Sequence, residues 1–119
     1  MQNAKTLQAL TDKLWEEYCE IFPRLVRFDS PTLKVNNRLT KTAGRCFFEE
    51  NFIDLGGKFL AQHESTMLRV ILPHEIAHQI DYNLNGWHTR KPFHGSPWVK
   101  IMVKIGQEPN PYHSMELKK

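Results

Sequence analysis

Residues 74–78 read His-Glu-Ile-Ala-His within an apolar stretch of helical spacing. In a helix, residues four apart stand one turn above each other on one face. The imidazoles of His74 and His78 therefore project together, and two neutral imidazoles converging there can hold a zinc ion. Glu75 follows the first ligand, where its carboxylate can take a proton from water at the metal. This pentapeptide predicts a helix with both imidazoles on one face, and the expected activity is that of a zinc-dependent peptidase.

The rest of the chain sets the frame for that helix. At 119 residues it is read as one small domain, residues 1–119, with 40% hydrophobic and 11% aromatic residues. A core of that size leaves a thin stability margin, so a bound metal contributes to folding. Sixteen Lys and Arg against thirteen Asp and Glu give a formal charge of +3. That excess permits contact with nucleic acid without requiring it. The two cysteines, Cys19 and Cys46, form no CxxC pair, which excludes a Cys-based zinc finger or ribbon. With no apolar signal region or membrane-spanning run, the expectation is a cytoplasmic protein with no membrane partner and both thiols free.

Leu7, Leu10, Leu14, Tyr18 and Ile21 recur at three- and four-residue steps and predict an amphipathic helix over about 4–22, ended by Pro23. Trp15, Cys19 and Phe22 widen its apolar side. Strand-like pieces follow at 25–28, 33–35, 44–49 and 51–55, separated by turn formers such as Asn36-Asn37. They predict an antiparallel sheet of three or four strands, closed by Gly56-Gly57. Ser65 and Thr66 are expected caps for a second helix reaching about Leu84, with Asn85-Gly86 as its stop. Pro73 lies inside this helix and removes a hydrogen bond to the carbonyl of Arg69, so a kink is expected. The alternative is a ligand-bearing helix that starts at Pro73. Ser96-Pro97 predicts the start of a third helix, with Trp98, Ile101, Met102 and Ile105 inward and Gly106 ending it.

Catalytic zinc needs a third protein ligand and one open position. A histidine six residues after His78 is excluded because position 84 is Leu, and no acidic residue lies between Asp81 and Glu108. His88, His94 and His113 remain. His94 is preferred, since Gly95 allows a sharp turn and Trp98 anchors the helix behind it. His88 lies mid-loop beside Trp87. His113 falls in the tail, where a structural or substrate-side role outweighs ligation, and Tyr112 with His113 could stabilise an oxyanion. His63 is expected to have a surface or capping role.

On these residues the chain resembles the SprT-like metallopeptidases. Thr42-Ala43-Gly44 opens the segment TAGRCFF, Ile53-Asp54-Leu55 resembles the short strand before the active-site helix, LPHEIAHQ resembles the bacterial form of that helix, and HGSPWVKIMVKIG resembles the HGxxW segment. The resemblance covers about residues 38–117. It implies Zn2+ bound by His74, His78 and His94, Glu75 as general base, and an α+β, zincin-like fold with helices on a small antiparallel sheet and HExxH on the central helix. For better-known members it implies cleavage of proteins bound or crosslinked to DNA, with single-stranded DNA or crosslinked protein as partner. Two departures stand out: no cysteine-rich zinc ribbon follows His94, and the His78–His94 loop carries an aromatic-basic insert, WHTRKPF.

Two other readings remain at this point. In one, the domain is non-catalytic and zinc-stabilised, with a fourth ligand such as His88 closing the metal sphere. In the other it is a DNA-binding module gripping single strands through Arg24, Arg27, Lys34, Arg38, Lys41 and Arg45, and through Arg90, Lys91, Lys100 and Lys104 with Trp87, Phe93 and Trp98.

Overall fold

A helix can form wherever its first free N–H groups find acceptors, and Asn3 supplies one: its side chain accepts from the Thr6 N–H at 2.9 Å. From there α1 runs Ala4–Ile21 and buries Leu7, Thr11, Trp15 and Tyr18. The computed structural model describes residues 3–86, 94–113 and 115–118. Three strands follow, β1 (Thr32–Asn36), β2 (Gly44–Phe47) and β3 (Phe52–Gly56), then α2 (Gly57–Gln62), α3 (Glu64–Thr66), a π-helical segment (Met67–Ile71), α4 (Leu72–Asn85) and α5 (Ser96–Lys104). The architecture is α+β: helices around a small sheet, with the core formed by Leu7, Leu25, Ile53, Leu55, Ile76, Ile80, Trp98 and their neighbours. No described helix is long and apolar enough to cross a membrane.

The sheet is not purely antiparallel, as the sequence led us to expect. Its order is β1-β3-β2, with β3 in the middle, antiparallel to β2 and parallel to β1. The β2–β3 pair is a hairpin, turned at Asn51 with φ 55°. β1 then occupies the other side of β3, so the turn at Asn36-Asn37 starts a crossing segment and not a second hairpin. The expected strand at 25–28 is a 3-10 helix, Pro23–Arg27. Pro23 starts it, and only Leu25 faces the core, while Val26 is 71% exposed. α2 was not anticipated at all, because the paired glycines were read as an ending and they lead directly into a helix.

Pro73 is accommodated without breaking the helix. The backbone stays right-handed helical at Thr66, Met67, Ile71 and Leu72, and the Leu72 N–H bonds back to Met67, five residues away. The wider π turn ends just ahead of Pro73, so the residue that lacks a donor falls at the junction of the two helical segments. Ser65 and Thr66 do not cap this helix; His63 precedes α3, without a side-chain cap bond. Nor does Ser96 cap α5. Gly95 takes the cap position and Ser96 is the first helical residue. Gly106, at φ +82°, closes α5 as expected, with Gly106 N–H bonded to Val103 and Gln107 N–H to Met102.

The two sheet edges are treated differently. On β1, the Gln8 side chain brackets the strand as another strand would: its Nε2 donates to the Pro31 carbonyl at 2.9 Å, and its Oε1 accepts from the Leu33 N–H at 2.7 Å. On β2, Gly56 N–H bonds to Ala43 carbonyl. With the Gly44–Leu55 register, alternation turns Arg45 and Phe47 toward β3 and leaves the backbone groups of Gly44 and Cys46 facing outward. Replacing Gln8 by Ala is therefore expected to destabilise the fold by about 1–3 kcal/mol, measured by urea unfolding. A change within experimental error would show that water replaces the bracket at no cost.

Candidate metal centre and its cleft

α4 carries His74 and His78 one turn apart, and its face packs on α5 through Trp98, which is fully buried. The Trp98 ring lies 4.9 Å from the His74 ring, 5.4 Å from His78 and 4.7 Å from His94, centroid to centroid. One indole thus sets the position of all three imidazoles. His94 enters just before Gly95, at the root of α5, where the short path into a packed helix holds it firmly.

The three Nε2 atoms form a nearly equilateral triangle: 3.2 Å between His74 and His78, 3.1 Å between His78 and His94, and 3.2 Å between His94 and His74. Each such nitrogen bears either a proton or a lone pair. Of any three, at least two are alike and face each other with no hydrogen bond between them. A central cation satisfies all three lone pairs at once. Three nitrogens bonded at the usual zinc distance in a tetrahedron stand about 3.3 Å apart, close to these edges. The donor set therefore fits a metal ion, and His74, His78 and His94 form a group that could hold one.

Burial, more than charge, keeps His74 and His94 in the neutral, ligating form. His74 is pushed down to about 3, chiefly by burial and then by the potential charges of His78, His94 and His113. His94 is lowered by burial and by His113, and His113 is lowered by burial. Glu75 is buried, and burial raises its carboxyl to about 8. Its Oε2 lies 3.8 Å from His74 Nε2; with that imidazole neutral, this is proximity and not an ion pair. A cation at the triangle would reverse the burial effect and favour the carboxylate.

A cleft of about 360 Å³ opens over the triangle, lined by Thr42, Ala43, Gly44, Cys46, Phe48, Ile71, His74, Glu75, His78, His94, Pro111 and His113. The outward edge of β2 forms one side of it. Gly44 allows that closeness: a Cβ there would stand 3.1 Å from Ile71 Cγ2 and 3.2 Å from Leu55 Cδ2. Behind β2, Gln79 ties strand to helix, donating to the Phe48 carbonyl at 3.0 Å and accepting from the Cys46 thiol at 3.5 Å. Burial, then Glu75, raises that thiol well above its usual range.

Other residues singled out in the sequence are distributed as follows. His113 is not a member of the triangle; its Nε2 lies 3.3 Å from His74 Nδ1, on the outer side of that ring. Tyr112 is 81% exposed and does not line the cleft. His63 Nε2 donates to the Glu116 carbonyl. Cys19 and Cys46 are free thiols. Arg45 pairs with Asp54 at 2.7 Å and lies against Phe47, Lys34 lies over Phe52, and Arg24 donates to the Leu84 carbonyl. Trp98, packed beneath the imidazoles, has no face to offer a base. His88, Trp87, Arg90, Lys91 and Phe93 lie outside the described residues. The contribution of the tail to the site could have been found in the sequence only through His113 itself, since no periodicity marks residues 107–118.

A helix bearing two histidines, a third from the root of the next helix and a buried carboxyl beside them define an α+β domain with a three-imidazole group that could hold a metal ion. The chain belongs to the SprT-like family, whose sequence profile matches residues 7–117. It is 33% identical to Protein SprT of Actinobacillus succinogenes over 92 residues, 76% of this chain and 52% of that protein. It is 31% identical to Protein SprT of Vibrio atlanticus over 91 residues, 76% of this chain and 52% of that protein. Over 112 residues it is 29% identical to Protein SprT of Escherichia fergusonii, 92% of this chain and 66% of that protein. The chain thus spans about half to two thirds of the length of these curated relatives. No solved structure matches it significantly.

The Glu75 shift has a signed consequence in the metal-free protein. Above the usual carboxylate value of 4.5 the unfolded chain loses a proton that the folded chain keeps until about pH 8. Stability supplied by burying the neutral acid is present below 4.5 and is lost as pH rises to 8. His74 acts oppositely and lower, between 6.5 and about 3, and is common to parent and variant. With chelator present, Glu75→Gln is therefore expected to gain on the parent by a few kcal/mol between pH 5 and 8, on the order of a few pKa units of linkage. Denaturant unfolding across that range is the measurement, and a constant gap would contradict the buried-acid assignment.

Proposed function

We propose that this chain is the catalytic domain of a zinc-dependent metalloendopeptidase with a zincin-like arrangement. The observation that carries the reading is the Nε2 triangle of His74, His78 and His94 beside a buried Glu75. Zinc held there would supply Lewis acidity toward water and toward the scissile carbonyl. Glu75 would accept the proton of the attacking water and deliver it to the leaving amine. A cation at the triangle would favour the carboxylate, the form that accepts a proton. The outward N–H and C=O groups of Gly44 and Cys46 offer an extended peptide a strand to pair with, so the substrate backbone would lie along the β2 edge. This pairing is sequence-tolerant, because main-chain groups do the recognising.

The resemblance carried by TAGRCFF, LPHEIAHQ and HGSPW extends the proposal to substrates bound or crosslinked to DNA, with single-stranded DNA as a partner. The rival reading of a closed, non-catalytic zinc site gains no support from Glu75, since a structural site has no use for a buried carboxyl next to its ligands.

Digestion of a DNA-binding protein by zinc-loaded enzyme, with and without single-stranded DNA, tests the proposal. Glu75→Gln is expected to retain zinc while turnover falls by about 10²–10⁴-fold. Undiminished proteolysis by that variant would remove Glu75 as the base. Cleavage equal in both DNA arms would remove the DNA partner and leave the peptidase standing.

A further inference from the structure

We propose that His113 is a positioning residue for the metal centre: it accepts a hydrogen bond from His74 Nδ1 and so fixes the tautomer and orientation of that ligand. The inference rests on the three-imidazole reading above and goes beyond it. His74 turns Nε2 toward the triangle, where a lone pair is needed, so its proton resides on Nδ1. The atom facing that proton is His113 Nε2, at 3.3 Å, with the two ring centroids 5.2 Å apart and the planes inclined at 74°. A ligating histidine held through its second nitrogen binds metal more tightly, because the ring is already oriented and its basicity is raised.

The same geometry decides between two roles for His113. Donating to an oxyanion from Nε2 requires a proton on that atom, whereas accepting from His74 requires a lone pair there. One nitrogen cannot do both at once, and its present partner is the ligand.

The segment that carries His113 has no regular secondary structure, yet it is fastened on both sides. Upstream, Gln107 N–H bonds to the Met102 carbonyl of α5 at 2.9 Å, and within the tail Tyr112 N–H bonds to Asn110 Oδ1 at 3.0 Å. Downstream, His63 donates to the Glu116 carbonyl, and the Gln62 amide brackets Lys118, donating to its carbonyl at 3.0 Å and accepting from its N–H at 2.7 Å. Met115 and Leu117 pack against the core between these bonds. The tail is thus a strap, latched on the end of α2, that brings one side chain to the back of a metal ligand.

Zinc affinity by chelator competition, compared for the parent, His113→Phe and His113→Gln, tests this. Phe fills the space without an acceptor; Gln Oε1 can reach the position of Nε2. The Phe variant is expected to bind zinc about 10–100-fold more weakly, and the Gln variant within a few-fold of the parent. Should His113→Phe fail to fold, His113→Ala makes the same comparison against Gln. Parent-like affinity in the Phe variant, or an equal loss in the Gln variant, would overturn the proposal, whatever the effect on turnover. A parent that binds no zinc would instead overturn the metal-centre reading itself.

Discussion

Three imidazole nitrogens held about 3.2 Å apart cannot all satisfy one another, and the rest of the molecule is arranged to hold them there. Two come from one helix face, which fixes their spacing without further help. The third must be brought in from elsewhere, and α5 does this by packing Trp98 under all three rings. The desolvation that lowers His74 is a cost to the empty site, and it also keeps the ring neutral and ready to ligate. Core packing, ligand geometry and protonation are therefore one problem with one solution, and a cation at the centre stabilises the arrangement that the core imposes.

The neighbourhood of α4 shows how a locally awkward sequence serves that end. Pro73 would interrupt a plain helix running through residues 64–85. The π turn just before it absorbs the mismatch, and Ile71, at the end of that turn, meets Gly44 on the edge strand. The ligand helix, the turn that enters it and the strand edge proposed to receive substrate are thus in direct contact. Gln79 and Cys46 tie the same strand to the same helix a turn further on. An edge strand fastened so closely to the ligand helix keeps a fixed distance from the site, as positioning a peptide bond requires.

Much of the candidate site was legible because its determinants are local. HEIAH in an apolar helix, and a histidine followed by a glycine and a buried tryptophan, each carry their geometry within a few residues; α1, α5 and the Gly106 terminator were legible for the same reason. Strand order was not. The apolar residues of 32–36 and 52–56 mark these segments as strands but do not say that they run parallel, since pairing partners are chosen by tertiary packing. The 25–28 segment misled because a short apolar run fits a strand and a 3-10 turn equally, and there only Leu25 is buried. The return of the tail to His74 was not legible either, because it depends on Gln62 and His63, more than fifty residues away from the carbonyls they meet.

X-ray absorption at the zinc edge on the metal-loaded protein tests the central claim most directly. The account predicts one zinc per chain with three imidazole nitrogens at about 2.0–2.1 Å and one further light-atom ligand. A first shell with fewer than three imidazoles, or one containing sulfur from Cys46, would contradict it.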